Sequence, residues 1–198
     1  MTTHDWDSAY EERPPWDIGR PQPFFVRLAE GGAFTGQVLD AGCGTGEHSL
    51  LAAASGADVT GVDVSVRAVD QAKKKAASRD LDVRFEVGDA LNLGQLGATF
   101  DTAIDSGLFH TFDDGQRAKY VTSLASVMKS GGTCYLSCFS DNQPGDAGPR
   151  RITQAELGAA FSDGWTVTDI VPVVFDVNPR PEFPEGTGQA WLAAITRL

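Results

Sequence analysis

The stretch Val38-Leu-Asp-Ala-Gly-Cys-Gly-Thr-Gly-Glu-His-Ser-Leu50 decides the fold of this chain. A short apolar run enters a glycine-rich turn and a helix-compatible segment leaves it, a unit that presents backbone N–H groups to a ligand. Glycines at 42, 44 and 46 remove the Cβ atoms that would keep a ligand from the main chain. Their G-x-G-x-G spacing differs from the G-x-G-x-x-G of dinucleotide sites. The stretch predicts a ligand-binding turn, the alternative being a turn that only connects strand and helix.

Two carboxylates flank this turn, Asp40 before it and Glu47 after it. A unit charge about 4 Å from a like charge is destabilised by roughly 4 kcal/mol at an effective dielectric constant near 20. The pyrophosphate of a nicotinamide or flavin dinucleotide would meet this repulsion, whereas a phosphate-free cation would be attracted. S-adenosylmethionine (SAM), which carries a sulfonium and an α-ammonium group, is such a ligand.

Length and composition place further bounds on function. The chain has 198 residues, which suits one domain, and a formal net charge of −11. That charge argues against a nucleic-acid or anionic-membrane partner, because phosphate binding needs clustered cations. No apolar run approaches the roughly 20 residues of a membrane span, and no signal-peptide pattern opens the sequence. Three cysteines are too few for a disulfide framework, and Cys134 and Cys138 lack neighbours that could complete a metal site, so we expect a cytoplasmic protein without a metal.

Strand and helix patterns alternate along the chain after the first strand. Helix starts are indicated at Ser65 and at two capping boxes, Asp113 with Gln116 and Thr153 with Glu156, while Gly131-Gly132 predicts a helix end. The pattern predicts an α/β fold with a doubly wound, mostly parallel seven-stranded sheet and a C-terminal antiparallel hairpin. The later predicted strands are 58–62, 83–87, 100–104, 133–139, 165–177 and 189–197.

Four aspartates, Asp40, Asp63, Asp89 and Asp105, fall at or just beyond the ends of predicted strands. The carboxyl ends of parallel strands meet at one edge of the sheet, where such folds bind their ligands. We therefore expect all four carboxylates to lie at a ligand-binding edge. The loops 106–114, 140–152 and 178–188 project from the same edge and are expected to enclose a second, acceptor pocket.

Residues 1–37 are rich in aromatic residues and proline and differ from the remaining domain, residues 38–198. Such a segment accommodates a short helix around Phe24 but no regular sheet. It could be an arm that covers apolar core surface. We favour a lid that closes over a small-molecule pocket and supplies aromatic walls, because residues 16–23 are dense in rigid side chains.

From the first strand to the last, the sequence resembles the class I SAM-dependent methyltransferases. The motifs that carry the resemblance are Leu39-Asp-Ala-Gly-Cys-Gly-Thr-Gly46, Val62-Asp63, Gly88-Asp-Ala90, Phe100-Asp101 and Gly131-Gly132. It implies a Rossmann-like methyltransferase fold, SAM as cofactor and S-adenosylhomocysteine (SAH) as product.

The resemblance also implies roles for single residues. Asp40 would lie near the SAM ammonium, and Asp63 would accept hydrogen bonds from both ribose hydroxyls, since a carboxylate can take two donors. Asp89 and the backbone of Ala90 would hold the adenine, and Asp105 would lie near the methionine moiety. The expected cofactor-binding residues are Trp16, Asp40, Gly42, Gly44, Gly46, Asp63, Val64, Asp89, Ala90, Leu91, Asp105 and Ser106.

The segment from Tyr10 through Pro14-Pro-Trp-Asp-Ile-Gly-Arg-Pro-Gln-Pro23 resembles the heterocyclic toxin methyltransferases, small relatives of the thiopurine methyltransferase group. In that family the arm closes over SAM, and the acceptors are flat aromatic N- or O-nucleophiles. This implies methyl transfer to nitrogen or oxygen of a small aromatic heterocycle, by a monomer or homodimer. The expected acceptor contacts are Tyr10, Phe24, Phe109, His110, Arg180 and Phe183.

His110 is the candidate general base, because it follows the fourth strand at the ligand edge and histidine is the usual choice for this role. The alternative is a structural histidine that holds its loop. We interpret His48 as structural or as a cofactor contact, and His4 as part of a disordered tail.

Three other functions remain open at this point. The same chemistry could act on a thiol, a chalcogen oxyanion or a quinone-like metabolite. A dinucleotide-dependent reductase is disfavoured by the acids and by the glycine spacing. A protein that binds SAM without turnover is the third.

Overall fold

Strand β1 (Gln37–Ala41) lies inside a seven-stranded sheet in the computed structural model, which describes residues 6–198, so that His4 lies outside the described part. The strands are ordered β3-β2-β1-β4-β5-β7-β6 across the sheet. The other strands are β2 (Asp58–Asp63), β3 (Arg84–Val87), β4 (Phe100–Ser106), β5 (Met128–Phe139), β6 (Trp165–Asp176) and β7 (Thr187–Arg197).

The strand directions confirm the predicted α/β architecture. Strands β1 to β5 pair in parallel, and β7 is antiparallel to both β5 and β6. The C-terminal pair is thus the expected hairpin, with its second strand placed between β5 and β6. The helices are α1 (Trp6–Ala9), α2 (Pro23–Glu30), α3 (Glu47–Ala54), α4 (Val66–Ser78), α5 (Asp114–Ala125) and α6 (Gln154–Ala160), with 3-10 helices at Ala90–Leu96 and Phe109–Thr111.

The helix starts follow the caps that the sequence predicts. The Ser65 hydroxyl accepts the N–H of Ala68 at 3.1 Å and begins α4. Both capping boxes form, the first before α5 and the second before α6. Each cap satisfies N–H groups that the first helical turn leaves without partners.

The predicted helix end at Gly131-Gly132 is wrong. Helix α5 ends at Ala125, and both glycines belong to β5, where the pairing with β4 shifts register between Phe100 and Thr102. Val127 and Met128, which continue the apolar helical period, are buried after the helix end instead. A short apolar run fits either a helix face or a buried strand. Here the pairing of β5 with β4 places the run in the sheet.

Two apolar clusters cover the two faces of the sheet. Val38 and Ile104 pack with α2 and α3, while their neighbours Leu39 and Ala103 pack with α5 and α6. Adjacent strand residues point to opposite faces, so the central strands are buried on both sides and their ends are the accessible edge. No helix within residues 6–198 combines the length and apolar character needed to cross a membrane.

The N-terminal segment divides into two parts. Helix α2 belongs to the core, because Phe24, Phe25 and Phe34 are all buried in the cluster that contains Val38. Residues 6–22 instead run across the carboxyl edge of the sheet, where hydrogen bonds of Gln22 hold them in place. The second half of this segment therefore packs into the core, while the lid and the boundary at residue 37 stay predictions.

Candidate functional site

A cavity of about 570 Å³ opens at the carboxyl ends of the parallel strands. The glycine turn and the ends of β2 and β4 form one side of it, and residues 6–22 cross over it. Loops after β5 and β6 enclose the far end. This is the edge at which open parallel sheets bind ligands.

The backbone of the glycine turn forms part of the cavity wall. Gly44 has a φ of +52°, and a Cβ built there would lie 2.8 Å from the Tyr10 hydroxyl. At Gly42, with a φ of +71°, a Cβ would crowd the side chain of Leu108 at 3.1 Å. Both positions need left-handed backbone and an absent side chain, which is why glycine occurs there.

Asp63 lies at the end of β2 and lines the cavity beside Val64. One carboxylate oxygen accepts the N–H of Gly44 at 2.8 Å and the other accepts the N–H of Ser65 at 2.9 Å. Burial raises the pKa of Asp63 above its usual value, and these two N–H bonds oppose that rise. Each oxygen keeps a second lone pair for a hydroxyl donor.

Asp89, Ala90 and Leu91 also line the cavity, as does Ser106 at the end of β4. The Asp89 carboxylate accepts the N–H of Leu91 at 2.9 Å and so begins the 3-10 helix that follows. This fixes the backbone of Ala90, a buried residue, at the cavity wall.

Asp40 and Asp105 depart from the expected row of four acids. Both side chains are buried and neither lines the cavity. Asp40 accepts the hydroxyl of Ser49 at 2.6 Å, and Asp105 accepts the N–H of Leu108 at 2.8 Å. Burial raises the pKa of each to about 7. The assignment of these two carboxylates to the SAM methionine is therefore wrong, because their strand positions direct them into the protein.

Glu47 lines the cavity, but it is not the unpaired acid that the sequence argument assumed. Its carboxylate accepts from Lys75 at 2.8 Å and from Arg79 at 2.9 Å, and both cations lie on or next to α4. These ion pairs and bonds hold the pKa of Glu47 below its usual value against the opposing effect of burial. The other acids that line the cavity are Asp63 and Asp89 after β2 and β3, and Asp17 and Glu182 in the segments that cover it.

The covering segment carries Tyr10 and Trp16, which both line the cavity. The indole N–H of Trp16 donates to the Tyr10 hydroxyl at 3.0 Å. Asn178, after β6, holds this segment in place: its side chain donates to the carbonyls of Pro14 at 2.9 Å and Asp17 at 2.8 Å. The sequence analysis missed Asn178, because 161 residues separate it from Asp17.

The far end of the cavity is aromatic. Phe183 stacks on Phe139 with ring centroids 5.5 Å apart, and Phe175 meets Phe139 edge-on at 5.7 Å. Arg180 lines the same end. Phe139 and Phe175 sit at strand ends, where the sequence leaves open whether they belong to core or wall. In the structure both are buried in the cluster that contains Val38 and also line the cavity.

Phe24 and Phe109 are wrong as acceptor contacts. Phe24 is 2% exposed and packs against Phe25 and Phe175, and Phe109 is completely buried between Tyr120 and Phe161. Neither lines the cavity. Their loop-proximal positions suggested exposure, but each side chain points into one of the apolar clusters.

His110 lines the cavity, but its hydrogen bonding contradicts the role of general base. Its Nδ1 accepts the backbone N–H of Phe139 at 2.9 Å, so the lone pair on Nδ1 is already used. Burial and the charges of Arg117 and Arg151 lower the pKa of His110 to about 3. The neutral ring then carries its proton on Nε2 and has no free basic nitrogen.

His48 lines the cavity, and its Nε2 accepts the backbone N–H of Gln22 at 3.1 Å, so both interpretations of this residue stay predictions. Burial lowers the pKa of His48 to about 4. Because the bond joins α3 to the covering segment, His48 helps to set where that segment turns toward α2.

These residues fit SAM. The glycine turn packs so closely against Tyr10 and Leu108 that a Cβ at Gly44 or Gly42 would crowd them, and its bare backbone forms a cradle at the cavity wall. Asp63 and Asp89 line the cavity and suit hydroxyl and amine donors, and none of residues 42–46 is a cation that would bind phosphate. Asp63 would hold the ribose, Asp89 and Ala90 the adenine, and Ser106 the methionine end.

Comparison with known proteins agrees with this geometry. Residues 38–132 match the family model described as a methyltransferase domain. The chain is 38% identical over 169 residues to 2-heptyl-1-hydroxyquinolin-4(1H)-one methyltransferase of Mycobacteroides abscessus, covering 84% of this chain and 74% of that protein. It is 26% identical to a probable thiol methyltransferase 2 of Arabidopsis thaliana, over 88% of this chain and 79% of the relative.

Solved structures agree as well. One solved structure is 36% identical to this chain, with a TM-score of 0.85 over 96% of this chain and 91% of the other chain. It comes from work on the conversion of a disulfide bond into a thioacetal group during echinomycin biosynthesis. A SAM-dependent methyltransferase of Anabaena variabilis shares the fold at 18% identity, with a TM-score of 0.78 over 98% and 92% of the two chains. A chain with this cradle and with 38% identity across most of a methyltransferase belongs to the SAM-dependent small-molecule methyltransferases.

Proposed function

We propose that this enzyme methylates an oxygen or nitrogen of a small, flat aromatic heterocycle. The observation that carries the proposal is the aromatic far end of the cavity, where Phe139, Phe175 and Phe183 form a wall next to the SAM cradle. Such a wall suits a planar apolar acceptor, with few polar groups to orient it. The Mycobacteroides abscessus relative, named for a hydroxyquinolinone, supports the same class.

Bound SAM would supply a methyl group activated by its sulfonium, for in-line transfer to the acceptor with the sulfide as leaving group. The residues of this chain hold the partners and keep water out. Asp63 and the glycine turn fix one end of the site, and the Tyr10 and Trp16 rings cover it. Holding two reactants in line contributes roughly 7–11 kcal/mol to a reaction of this kind.

A sulfur acceptor is the second candidate. The Arabidopsis thaliana relative is named a probable thiol methyltransferase, and the structure from the echinomycin work concerns a disulfide. A soft, polarizable sulfur also packs well against aromatic rings. The quinone-like alternative has support over a shorter stretch, from a ubiquinone biosynthesis O-methyltransferase of Coxiella burnetii that is 34% identical over 53% of this chain and 44% of its own length. Family membership sets aside the dinucleotide-dependent reductase.

Thermal shift and a product screen test the proposal. SAH is expected to raise the unfolding temperature, whereas NADH and NADPH leave it unchanged. Methyl-labelled SAM is then offered with hydroxyquinolones, phenols, thiopurines, aliphatic thiols and tellurite, and products are identified by mass spectrometry. Turnover of the heterocycles at least tenfold above the thiols supports the first candidate, and the reverse order supports the second.

We also propose a cytoplasmic location and a small-molecule partner without nucleic acid or membrane. The net charge of −11 and the three free, buried cysteines support this. Size-exclusion chromatography with light scattering distinguishes the monomer from the homodimer.

A further inference from the structure

His110 lies where the pairing between β4 and β5 ends. The last paired residues are Ser106 and Ser137, and His110 follows in the short 3-10 helix Phe109–Thr111. Two residues farther along β5, the backbone N–H of Phe139 donates to His110 Nδ1 at 2.9 Å. The ring therefore takes the place that a strand carbonyl would occupy, and its orientation is fixed by main chain.

This bond determines which ring nitrogen carries the proton. A nitrogen that accepts an N–H bond is unprotonated, so a neutral ring has its hydrogen on Nε2. Protonation of Nδ1 would break the bond to Phe139 and place a cation beside Arg117 and Arg151, whose charges already disfavour it. At neutral pH the folded protein therefore keeps the His110 proton on Nε2, where it can be donated.

The Nε2–H group faces the cavity. Nε2 lies 3.4 Å from where a Cβ on Gly107 would stand, and the ring is tilted against Phe139 with centroids 5.1 Å apart. Among residues 6–198 no side chain or carbonyl accepts from Nε2. An N–H group at the apolar end of a pocket favours a ligand that accepts from it, because leaving such a donor unpaired costs about 1–3 kcal/mol.

We propose that His110 is a specificity-determining residue that donates its Nε2–H to an oxygen lone pair of the acceptor, a ring carbonyl or an ionised hydroxyl. This proposal rests on the proposed function and narrows its substrate class to oxygen-bearing heterocycles. A pocket built to pair a polar group rejects analogues that lack the partner far more strongly than an apolar pocket rejects a missing methylene.

The proton balance follows from the same geometry. With an ionised hydroxyl, the oxygen forms the new bond to the methyl carbon, the carbon–sulfur bond breaks with its electron pair left on sulfur, and no proton is moved. With a neutral hydroxyl, the proton leaves to water, since neither nitrogen of His110 can accept it. Acceptors with acidic hydroxyl groups are therefore favoured.

Nitrogen-detected imidazole spectra of the full-length chain test the tautomer. His48 is an internal reference with the opposite arrangement, because its Nε2 accepts from Gln22 and its proton sits on Nδ1. We expect His110 to show the Nε2–H tautomer from pH 6 to pH 9, both with and without SAH. A His110 signal in the Nδ1–H form, or a titration between pH 6 and pH 8, overturns the proposal.

Two variants separate the donor from the structural bond. His110→Asn keeps an oxygen that can accept from Phe139 but cannot reach the cavity, whereas His110→Gln extends an amide N–H toward the Nε2 position. In the complex with SAH, calorimetry compares 4-quinolone, which has a ring carbonyl, with quinoline, which has none. We expect the wild-type protein and His110→Gln to prefer 4-quinolone at least tenfold, and His110→Asn to lose that preference while binding SAH unchanged.

The outcomes keep the two proposals apart. A preference that survives in His110→Asn, or is absent from the wild-type protein, overturns the role of His110 and leaves methyl transfer intact. A chain that binds no SAH overturns the proposed function, and the imidazole spectra still report on His110. The exposed Lys119→Gln variant on α5 controls for general effects of substitution.

Discussion

The Asp63 carboxylate accepts the backbone N–H of Gly44 with 2.8 Å between Oδ2 and N, and this bond ties the end of β2 to the glycine turn. The same side chain accepts from Ser65 at the start of α4. One carboxylate therefore sets the relative position of the strand, the turn and the helix that meet at the cofactor site. It does so while lining the cavity.

Asp63→Ala is expected to weaken SAH binding by more than tenfold. The variant removes the acceptor for the ribose hydroxyls and leaves the N–H groups of Gly44 and Ser65 without their partner, so the turn also loses its support. Isothermal titration calorimetry measures the dissociation constant, and circular dichroism shows that the sheet persists.

The matched control for this variant is Asp82→Asn, which changes an exposed aspartate before β3. Its SAH affinity is expected to equal that of the wild-type protein. Equal dissociation constants for Asp63→Ala and the wild-type protein would remove Asp63 from the ribose site.

Local signals in the sequence predicted the succession of strands and helices along the chain and the three N-terminal helix caps, because these depend on residues a few positions apart. The direction of a side chain at a strand end depends instead on contacts that are distant in sequence. Asp40 is buried against Ser49, and Asp105 turns back to Leu108, so neither belongs to the cavity-lining set with Asp63.

The sequence does not reveal the ion pairs that compensate the charge of Glu47, because they too join residues that are distant in sequence. Glu47 reads as a free acid next to the glycine turn, but Lys75 and Arg79 reach it from about 30 residues away because α4 packs beside α3. The cationic cofactor is correct, but the charge of Glu47, one of the two acids that predicted it, is neutralised. Asp63 and Asp89 are the acids after strand ends that line the cavity.

Gly44→Ala is expected to lower both stability and SAH affinity. The residue has left-handed backbone, which costs about 1–2 kcal/mol for alanine, and the new Cβ would stand 2.8 Å from the Tyr10 hydroxyl. Gly97→Ala separates these effects, since Gly97 has a φ of +62° and no atom within 4 Å of its Cβ position. Calorimetry should show weaker SAH binding at Gly44 alone, and chemical unfolding should show similar losses of stability for both. Unchanged SAH affinity in Gly44→Ala would show that the backbone of the glycine turn does not bind the cofactor.

Asp40→Asn is expected to flatten the dependence of stability on pH. The folded-state pKa of about 7 lies above the usual 3.8, so the stability linked to this proton is complete below pH 4 and is lost as the pH rises toward 7. The slope approaches about 1.4 kcal/mol per pH unit for one proton. Urea unfolding at pH 5, 6, 7 and 8 measures it in both proteins.

The wild-type free energy of unfolding should therefore fall more steeply between pH 5 and pH 8 than that of Asp40→Asn. The lowered pKa values of His48 and His110 are common to both proteins and cancel in the comparison. The Asp40 charge contributes to the raised pKa of Asp105, so its removal lowers that pKa as well and flattens the curve of the variant further. Parallel curves for the variant and the wild-type protein would show that Asp40 titrates near its usual pKa.

Arg151 organises the acceptor end of the cavity and leads to the last prediction. Its guanidinium donates to the carbonyls of Pro149 at 2.6 Å, Ala147 at 2.8 Å and Gly145 at 3.0 Å, and it lies 5.4 Å from the ring centroid of Phe139. The planar fork of arginine has five N–H donors at fixed angles and serves all three carbonyls, whereas a glutamine amide has only two donors and no charge.

Arg151→Gln is accordingly expected to raise the KM for the acceptor at least fivefold and to leave the SAH dissociation constant unchanged, since only the loop that carries Gly148 and Pro149 loses its support. The neighbouring Arg150→Gln is the control, because Arg150 forms exposed ion pairs with Asp114 and Glu156 and does not line the cavity. Steady-state kinetics with the heterocycle found in the product screen measures the acceptor KM of both variants. Equal acceptor KM values for the two variants would show that the loop holds its shape without Arg151, and the aromatic wall alone would then select the acceptor.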